Sequence, residues 1–189
     1  MSIYSVVLFV HIVGALTLFM ALAVEWASLR QIQRVTSLGQ AGISIKMSSG
    51  LRPLSILSML IVLGSGGYLA SRMEAWGNPW IWATLAGMVA IGAIAVVLTN
   101  KRMEEIRRAC RDENAKLTER LIGQLRNPIL RDSVRLRIAM ALAIVFLMVT
   151  KPNLGGALLA LVIAGVAGFL PTIFKQRRYQ SEETRARTV

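Results

Sequence analysis

The stretch IYSVVLFVHIVGALTLFMALAVEW, residues 3–26, decides the fold, because it holds no charged residue before Glu25. A helix over this stretch is about 36 Å long at a rise of about 1.5 Å per residue, which exceeds the ~30 Å hydrocarbon core of a bilayer. Its most polar interruption is His11, the only histidine in the chain. The stretch therefore predicts a transmembrane helix that carries one imidazole inside the membrane.

The rest of the chain repeats this apolar pattern. Hydrophobic residues make up 54% of the 189 residues, and the mean hydropathy is +0.55. The apolar residues are concentrated in blocks, which predicts an all-α integral membrane bundle of five transmembrane helices. The predicted spans are residues 3–26, 51–70, 80–99, 136–150 and 154–174, which together form a single transmembrane domain over residues 1–174.

The positive charges predict the orientation of this bundle. Of the 22 Lys and Arg residues, 20 fall in three segments, which are residues 27–52, 100–137 and the tail after Phe174. Five crossings place these three segments on the same side of the membrane. Because Lys and Arg accumulate in cytoplasmic loops, we expect an outside N-terminus and an inside C-terminus.

The two longest polar segments are both predicted to be cytoplasmic. Residues 100–135 are rich in helix formers, which predicts a helical hairpin between the third and fourth spans. This hairpin is either a docking surface or a solvated link, and we favour the link. Residues 175–189 are polar and basic, which is typical of a disordered tail.

His11 lies about 12 Å below the outer end of the first helix, so its imidazole needs hydrogen-bond partners within the bundle. Ser65 and Thr150 lie at a similar predicted depth, and we expect them to form a polar focus with His11; Tyr68 and Thr84 are further candidates. The histidine is either a structural hydrogen-bonding group, a metal or haem ligand, or a contact for a proton or substrate.

One histidine restricts the cofactors that this chain can hold. Bis-histidine haem ligation requires two, whereas ligation of haem or copper by His11 and a methionine requires only one. The methionines in the spans are Met20, Met59, Met88 and Met148. No nucleotide-binding loop, zinc-protease motif or nucleophile elbow is present in the sequence, so we expect neither an enzyme nor a cofactor.

Three other features leave alternatives open. Glu25 and Arg52 flank the same predicted loop, so they form either an ion pair or two independent interfacial charges. The sequence GSGG, residues 64–67, marks either a kink in the second helix or its end near the outer leaflet. Small residues at helical spacing in the first, third and fifth spans favour close packing, either within the chain or between two copies of it.

Several short motifs resemble a family of small bacterial inner-membrane proteins that are predicted to be integral membrane proteins of unknown function. These motifs are HIVGA at 11–15, the early Arg52 and glycine-rich end of the second span, and LMVTKP at 147–152. The resemblance covers most of residues 3–174 and implies a helical bundle in the bacterial plasma membrane. A weaker likeness is to copper-resistance D type membrane proteins. Because this chain lacks further histidines, that likeness does not by itself indicate copper transport.

The leading hypothesis is a multi-pass, non-enzymatic protein of the bacterial inner membrane, either an accessory subunit or a small permease-like protein. The alternative is a redox protein that binds haem or copper through His11 and methionine, across a dimer if one chain is insufficient. The expected partners are anionic headgroups on the cytoplasmic side and either a second copy or another membrane protein. The basic charge fits cytoplasmic loops better than nucleic-acid binding.

Cysteine labelling tests the predicted orientation, because Cys110 is the only cysteine and lies in the 100–135 segment. We expect a membrane-impermeant maleimide to label Cys110 in inverted membrane vesicles and to leave it unlabelled in intact spheroplasts. Labelling in intact spheroplasts would reverse the orientation. A Cys110→Ser chain is the control for background labelling.

Overall fold

The computed structural model describes residues 2–32, 50, 52–100 and 128–168, and every regular element in these ranges is helical. A single turn of 3₁₀-helix, Ala75–Gly77, separates the second and third helices, and a π-helical segment, Ala95–Asn100, extends the third. The α-helices are α1 (Ile3–Ile32), α2 (Arg52–Arg72), α3 (Pro79–Ile94), α4 (Pro128–Thr150) and α5 (Leu154–Gly168).

Four of these helices are long and apolar enough to cross a membrane, namely α1, α2, α3 with its π-helical extension, and α4. Their outward side chains are large and apolar, and Phe9, Val89 and Val149 are each more than 60% exposed. Helices that are apolar on their outer as well as their inner faces are typical of a bilayer. The described part of α5 is shorter than the ~20 residues that a span needs, so a fifth crossing stays a prediction.

The fourth helix begins earlier than the apolar pattern predicts. It starts at Pro128, eight residues before the predicted span 136–150, and so includes the last part of the predicted 100–135 insertion. Proline is well tolerated in the first turn of a helix. The charged residues that follow Pro128 lower the hydropathy of the first turns of the helix. The apolar pattern therefore misses these turns, although the helix is continuous through them. The remainder of the insertion and the tail 175–189 lie outside the described residues.

The glycine-rich GSGG segment does not break its helix. Helix α2 continues through residues 64–67 and ends at Arg72. The helix is therefore not broken at the glycines, and its end lies little more than one turn beyond them, as the second alternative requires. Of the three glycines, Gly66 is the one that meets α1, at the His11 side chain.

The helices pack through a large apolar core, smaller apolar clusters and several small residues. Leu22, Met88 and Ile144 lie in this core and come from α1, α3 and α4. A Cβ atom at Gly14 would lie 2.9 Å from Ile61 Cγ2, so α1 approaches α2 closely at this point. A Cβ atom at Gly168 would lie 2.8 Å from the Leu136 Cα, which makes the α4–α5 contact equally close. These small residues pack helices of one chain against each other.

Candidate functional site: a cavity lined by His11

His11 lies against α2, because α1 and α2 run antiparallel and approach closely. Its Nδ1 atom is 3.0 Å from the Ser65 Oγ atom. A Cβ atom at Gly66 would lie 3.0 Å from His11 Cε1, so the glycine leaves room for the imidazole beside the α2 backbone. Only 9% of His11 is exposed. The structure thus brings together two of the three residues of the predicted polar focus.

The hydrogen bonds of Ser65 favour one tautomer of His11. The Ser65 hydroxyl lies 2.5 Å from the Ile61 carbonyl oxygen, and a carbonyl oxygen can only accept. This short distance favours Ser65 as a donor to Ile61, which is common for serines in helices. In that arrangement the Ser65 oxygen accepts the proton of His11 Nδ1–H. A neutral imidazole held in this way has no proton on Nε2, which is left as a basic acceptor.

The His11 side chain lines a cavity of about 280 Å³ between α1, α2, α3 and the end of α4. Tyr4, Trp76 and Lys151 lie at the end of the bundle where these helices begin or end, and they also line the cavity. His11 lies two helical turns further from that end. Most of the remaining wall is apolar, and it includes Leu63, Leu69, Ile81, Leu85, Met88 and Met148.

Thr84 supplies a second polar group to the cavity wall. This residue is 7% exposed, and its Oγ1 atom is buried without a hydrogen-bond partner. A buried polar atom that lacks a partner costs about 1–3 kcal/mol. Thr84 is within the apolar third span and was one of the residues that the sequence places at the depth of His11. It does not bond to His11 and instead lines the same cavity.

The prediction that Thr150 belongs to the polar focus is wrong. Its hydroxyl is exposed and donates to the Phe146 carbonyl oxygen at 2.8 Å. Successive residues of a helix are about 100° apart, so Thr150 points nearly opposite to Met148, which does line the cavity. Depth along a helix was predictable from the sequence, but the face of α4 that meets the cavity was not.

Of the two alternatives for Glu25 and Arg52, the ion pair is not formed, because Glu25 pairs with Arg137. Two guanidinium nitrogens of Arg137 donate to the two carboxylate oxygens of Glu25, at 3.0 and 2.5 Å. The two side chains are 6% and 16% exposed, respectively. A bidentate pair of this kind joins α1 to α4. The available signal was that Arg137 stands beside an apolar block, where a charge needs an opposite charge nearby.

Among the described residues, no group of three or more His, Cys, Asp and Glu side chains is placed to hold a metal ion. His11 Nε2 is the one imidazole acceptor available, and Met88 and Met148 bring thioether sulfurs to the same cavity wall. Met20 is 63% exposed on the outside of the bundle, and Met59 packs near Gly92. Two of the four methionines that the sequence suggested as ligands thus lie at the cavity.

The long apolar helices and the charge pair held between α1 and α4 define a helical membrane protein. The chain belongs to the family described as predicted integral membrane protein (DUF2269), whose model matches residues 5–152. This match includes His11, Ser65 and Thr84 and ends before α5. No curated protein and no solved structure matches the chain.

A double-mutant cycle tests the Glu25–Arg137 pair. We expect Glu25→Ala and Arg137→Ala each to lower the free energy of unfolding by about 3 kcal/mol, since each leaves an unpaired charge in a poorly hydrated position. The double variant should lose much less than the sum. Equilibrium unfolding in mixed micelles measures these values, and the exposed Arg72→Ala is the control. Additive losses would show that the two side chains do not interact.

Proposed function

We propose that this chain is a non-enzymatic protein of the bacterial inner membrane that holds a small lipid-soluble molecule in the His11 cavity. It would act as an accessory subunit or as a small permease-like protein. The observation that carries the proposal is one cavity whose wall combines the His11 imidazole and the Thr84 side chain with mostly apolar residues. Ligand sites typically combine apolar walls with a few such polar groups.

The cavity wall indicates the chemical class of the ligand. A volume of about 280 Å³ is roughly twice that of an engineered apolar cavity of 150 Å³ that binds benzene, so it suits a substituted ring. Trp76 and Trp80 supply aromatic surface to the wall. His11 Nε2 can only accept a hydrogen bond in the tautomer that Ser65 imposes. The favoured ligand is therefore a flat, apolar molecule with a hydroxyl group that donates to His11.

The location of the cavity would allow a ligand to enter it from the membrane or from the outer surface. In the orientation that the positive charges predict, the end of the bundle with Tyr4 and Lys151 faces outward. The cavity would then lie in the outer half of the bilayer. With α5 as a fifth crossing, the C-terminus would lie in the cytoplasm.

A binding experiment with two matched probes tests the proposed ligand class. The probes are 4-bromophenol, which has a hydroxyl donor, and 4-bromoanisole, which lacks one; bromine quenches the fluorescence of nearby tryptophans such as Trp76 and Trp80. The protein is studied in nanodiscs of zwitterionic lipid. We expect the wild type to prefer the phenol about fivefold, because one net hydrogen bond contributes about 1 kcal/mol.

The preference should disappear in the His11→Leu chain and persist in the Thr150→Val chain, which loses a hydroxyl outside the cavity. The ratio of the two affinities is compared between proteins, so that unequal partition of the probes into lipid cancels. Equal ratios in the wild type and His11→Leu would overturn a hydroxyl site at His11. Absence of saturable quenching by either probe in the wild type would overturn the cavity as a ligand site.

A second candidate function is a haem- or copper-binding redox protein that uses His11 and methionine. It is favoured by the same wall of the cavity, where an imidazole acceptor and the thioethers of Met88 and Met148 occur together. Imidazole and thioether groups suit copper, and the pair also ligates haem in some cytochromes. A Soret band or stoichiometric copper in the purified protein would favour this function over the first; a colourless, metal-free protein would exclude it.

A further inference from the structure

A group of arginines lies at the end of the bundle opposite the mouth of the His11 cavity. The guanidinium carbon of Arg30 is 4.8 Å from the centre of the Trp26 ring, and that of Arg135 is 5.1 Å from the same centre. Arg131 is one turn before Arg135 on α4 and therefore lies on the same face of that helix. We refer to Trp26, Arg30, Arg131 and Arg135 as the Trp26 arginine cluster.

The cluster has more positive charge than the nearby carboxylates neutralise. Glu25 is already paired with Arg137, so it is not available to the cluster. Asp132 is 3.6 Å from Arg135 through the Oδ1 and Nη1 atoms, which is too long for a hydrogen bond. Three arginines thus face one carboxylate within the described part of the chain. This imbalance favours an anion from outside the chain.

Two donors of the cluster are also without acceptors. The Arg135 Nη1 and Arg131 Nε atoms are buried and have no hydrogen-bond partner, and neither has the nearby Asp132 Oδ1 atom. A guanidinium that is removed from water without an acceptor is costly, so an anion held by the accessible nitrogens of these arginines would stabilise the cluster. The Arg30 side chain is exposed, and those of Arg131 and Arg135 are half-buried, so an anion can reach the group.

The depth of Trp26 indicates where that anion would come from. Trp26 is 23 residues beyond Ile3, which corresponds to about 35 Å along α1. Because the hydrocarbon core is about 30 Å thick, Trp26 lies at the level of the headgroups when the first turn of α1 lies at the other surface. Tryptophan is enriched at this level. The oxyanion that is abundant there is the phosphate of a phospholipid.

We propose that the Trp26 arginine cluster is a binding site for a phosphate group, held between the guanidinium groups of Arg30 and Arg135 with Arg131 beside them. The phosphate belongs either to an anionic phospholipid or to a soluble phosphate compound, and both present the same oxygens to the arginines. This site is independent of the His11 cavity, since the two lie at opposite ends of the bundle and share no residue.

Native mass spectrometry of the detergent-solubilised protein tests the site. The protein is titrated with phosphatidylglycerol, phosphatidylcholine or inorganic phosphate. We expect phosphatidylglycerol to bind about tenfold more tightly than phosphatidylcholine, which has a phosphate but also a cation that competes with the arginines. Binding of inorganic phosphate with equal affinity, and its displacement of the lipid, would identify a soluble phosphate as the source. Equal binding of both lipids without any binding of phosphate would overturn the site.

Variants assign the binding to the cluster. The double substitution Arg30→Gln and Arg135→Gln should remove the preference for phosphatidylglycerol. The matched control is Arg72→Gln, because Arg72 also contacts an aromatic ring, that of Tyr68 at 5.6 Å, at the other end of the bundle. The control should keep the full preference. An unchanged preference in the double variant, or an equal loss in the control, would overturn the assignment.

Should the double variant fail to fold, the Arg30→Lys chain provides the same information. Lysine keeps the charge but offers no planar fork of donors to phosphate oxygens. We expect this variant to weaken binding of phosphatidylglycerol severalfold while leaving binding of phosphatidylcholine unchanged. A wild-type affinity for phosphatidylglycerol in this variant would exclude Arg30 from the site.

Discussion

The close contact between α1 and α2 is the constraint on which the site depends. At Gly14 and Gly66 neither helix has a side chain to hold the other away, so an imidazole on α1 can reach a hydroxyl on α2. Water is scarce at this depth, so His11 must find its partners within the protein. Ser65 provides one, and its short contact with the Ile61 carbonyl oxygen favours the tautomer in which His11 Nε2 is an acceptor. The absence of side chains at these two glycines thus allows the contact between His11 and Ser65 on which the site depends.

Two polar contacts of α1, about four helical turns apart, join it to different neighbours. His11 joins α1 to α2, and Glu25 joins α1 to α4 through Arg137. In a bilayer, polar contacts of this kind and the packing of small residues hold helices together, because apolar burial between helices gives little net gain. The arginines around Trp26 remain in excess at one end, while the histidine cavity forms at the other. In the two proposals, the two ends of the bundle therefore bind different ligands.

Much of the fold could be predicted from the sequence, because a bilayer limits the lengths and compositions of the helices that cross it. The apolar blocks located α1 to α3 closely, whereas α4 began earlier because Arg131 and Arg135 are helical but not apolar. Ser65 emerged as a candidate partner of His11, since antiparallel neighbours place residues of equal depth together. Thr150 is not a partner of His11 and Arg52 is not a partner of Glu25, for a common reason. The depth of a residue in the membrane can be estimated from its position along one helix. The face that each helix turns to its neighbours depends on how the bundle packs. The cavity lies between several helices, so the residue pattern of any one helix does not predict it.

We expect His11 to be neutral and protonated at Nδ1, which leaves Nε2 without a proton. Because the chain has one histidine, nitrogen NMR of protein labelled only at histidine reports this side chain without overlap. At neutral pH in nanodiscs we expect the spectrum of a neutral ring with the proton on Nδ1, and we expect Ser65→Ala to alter that pattern. A ring protonated at Nε2 or at both nitrogens, or a spectrum that Ser65→Ala leaves unchanged, would contradict the site.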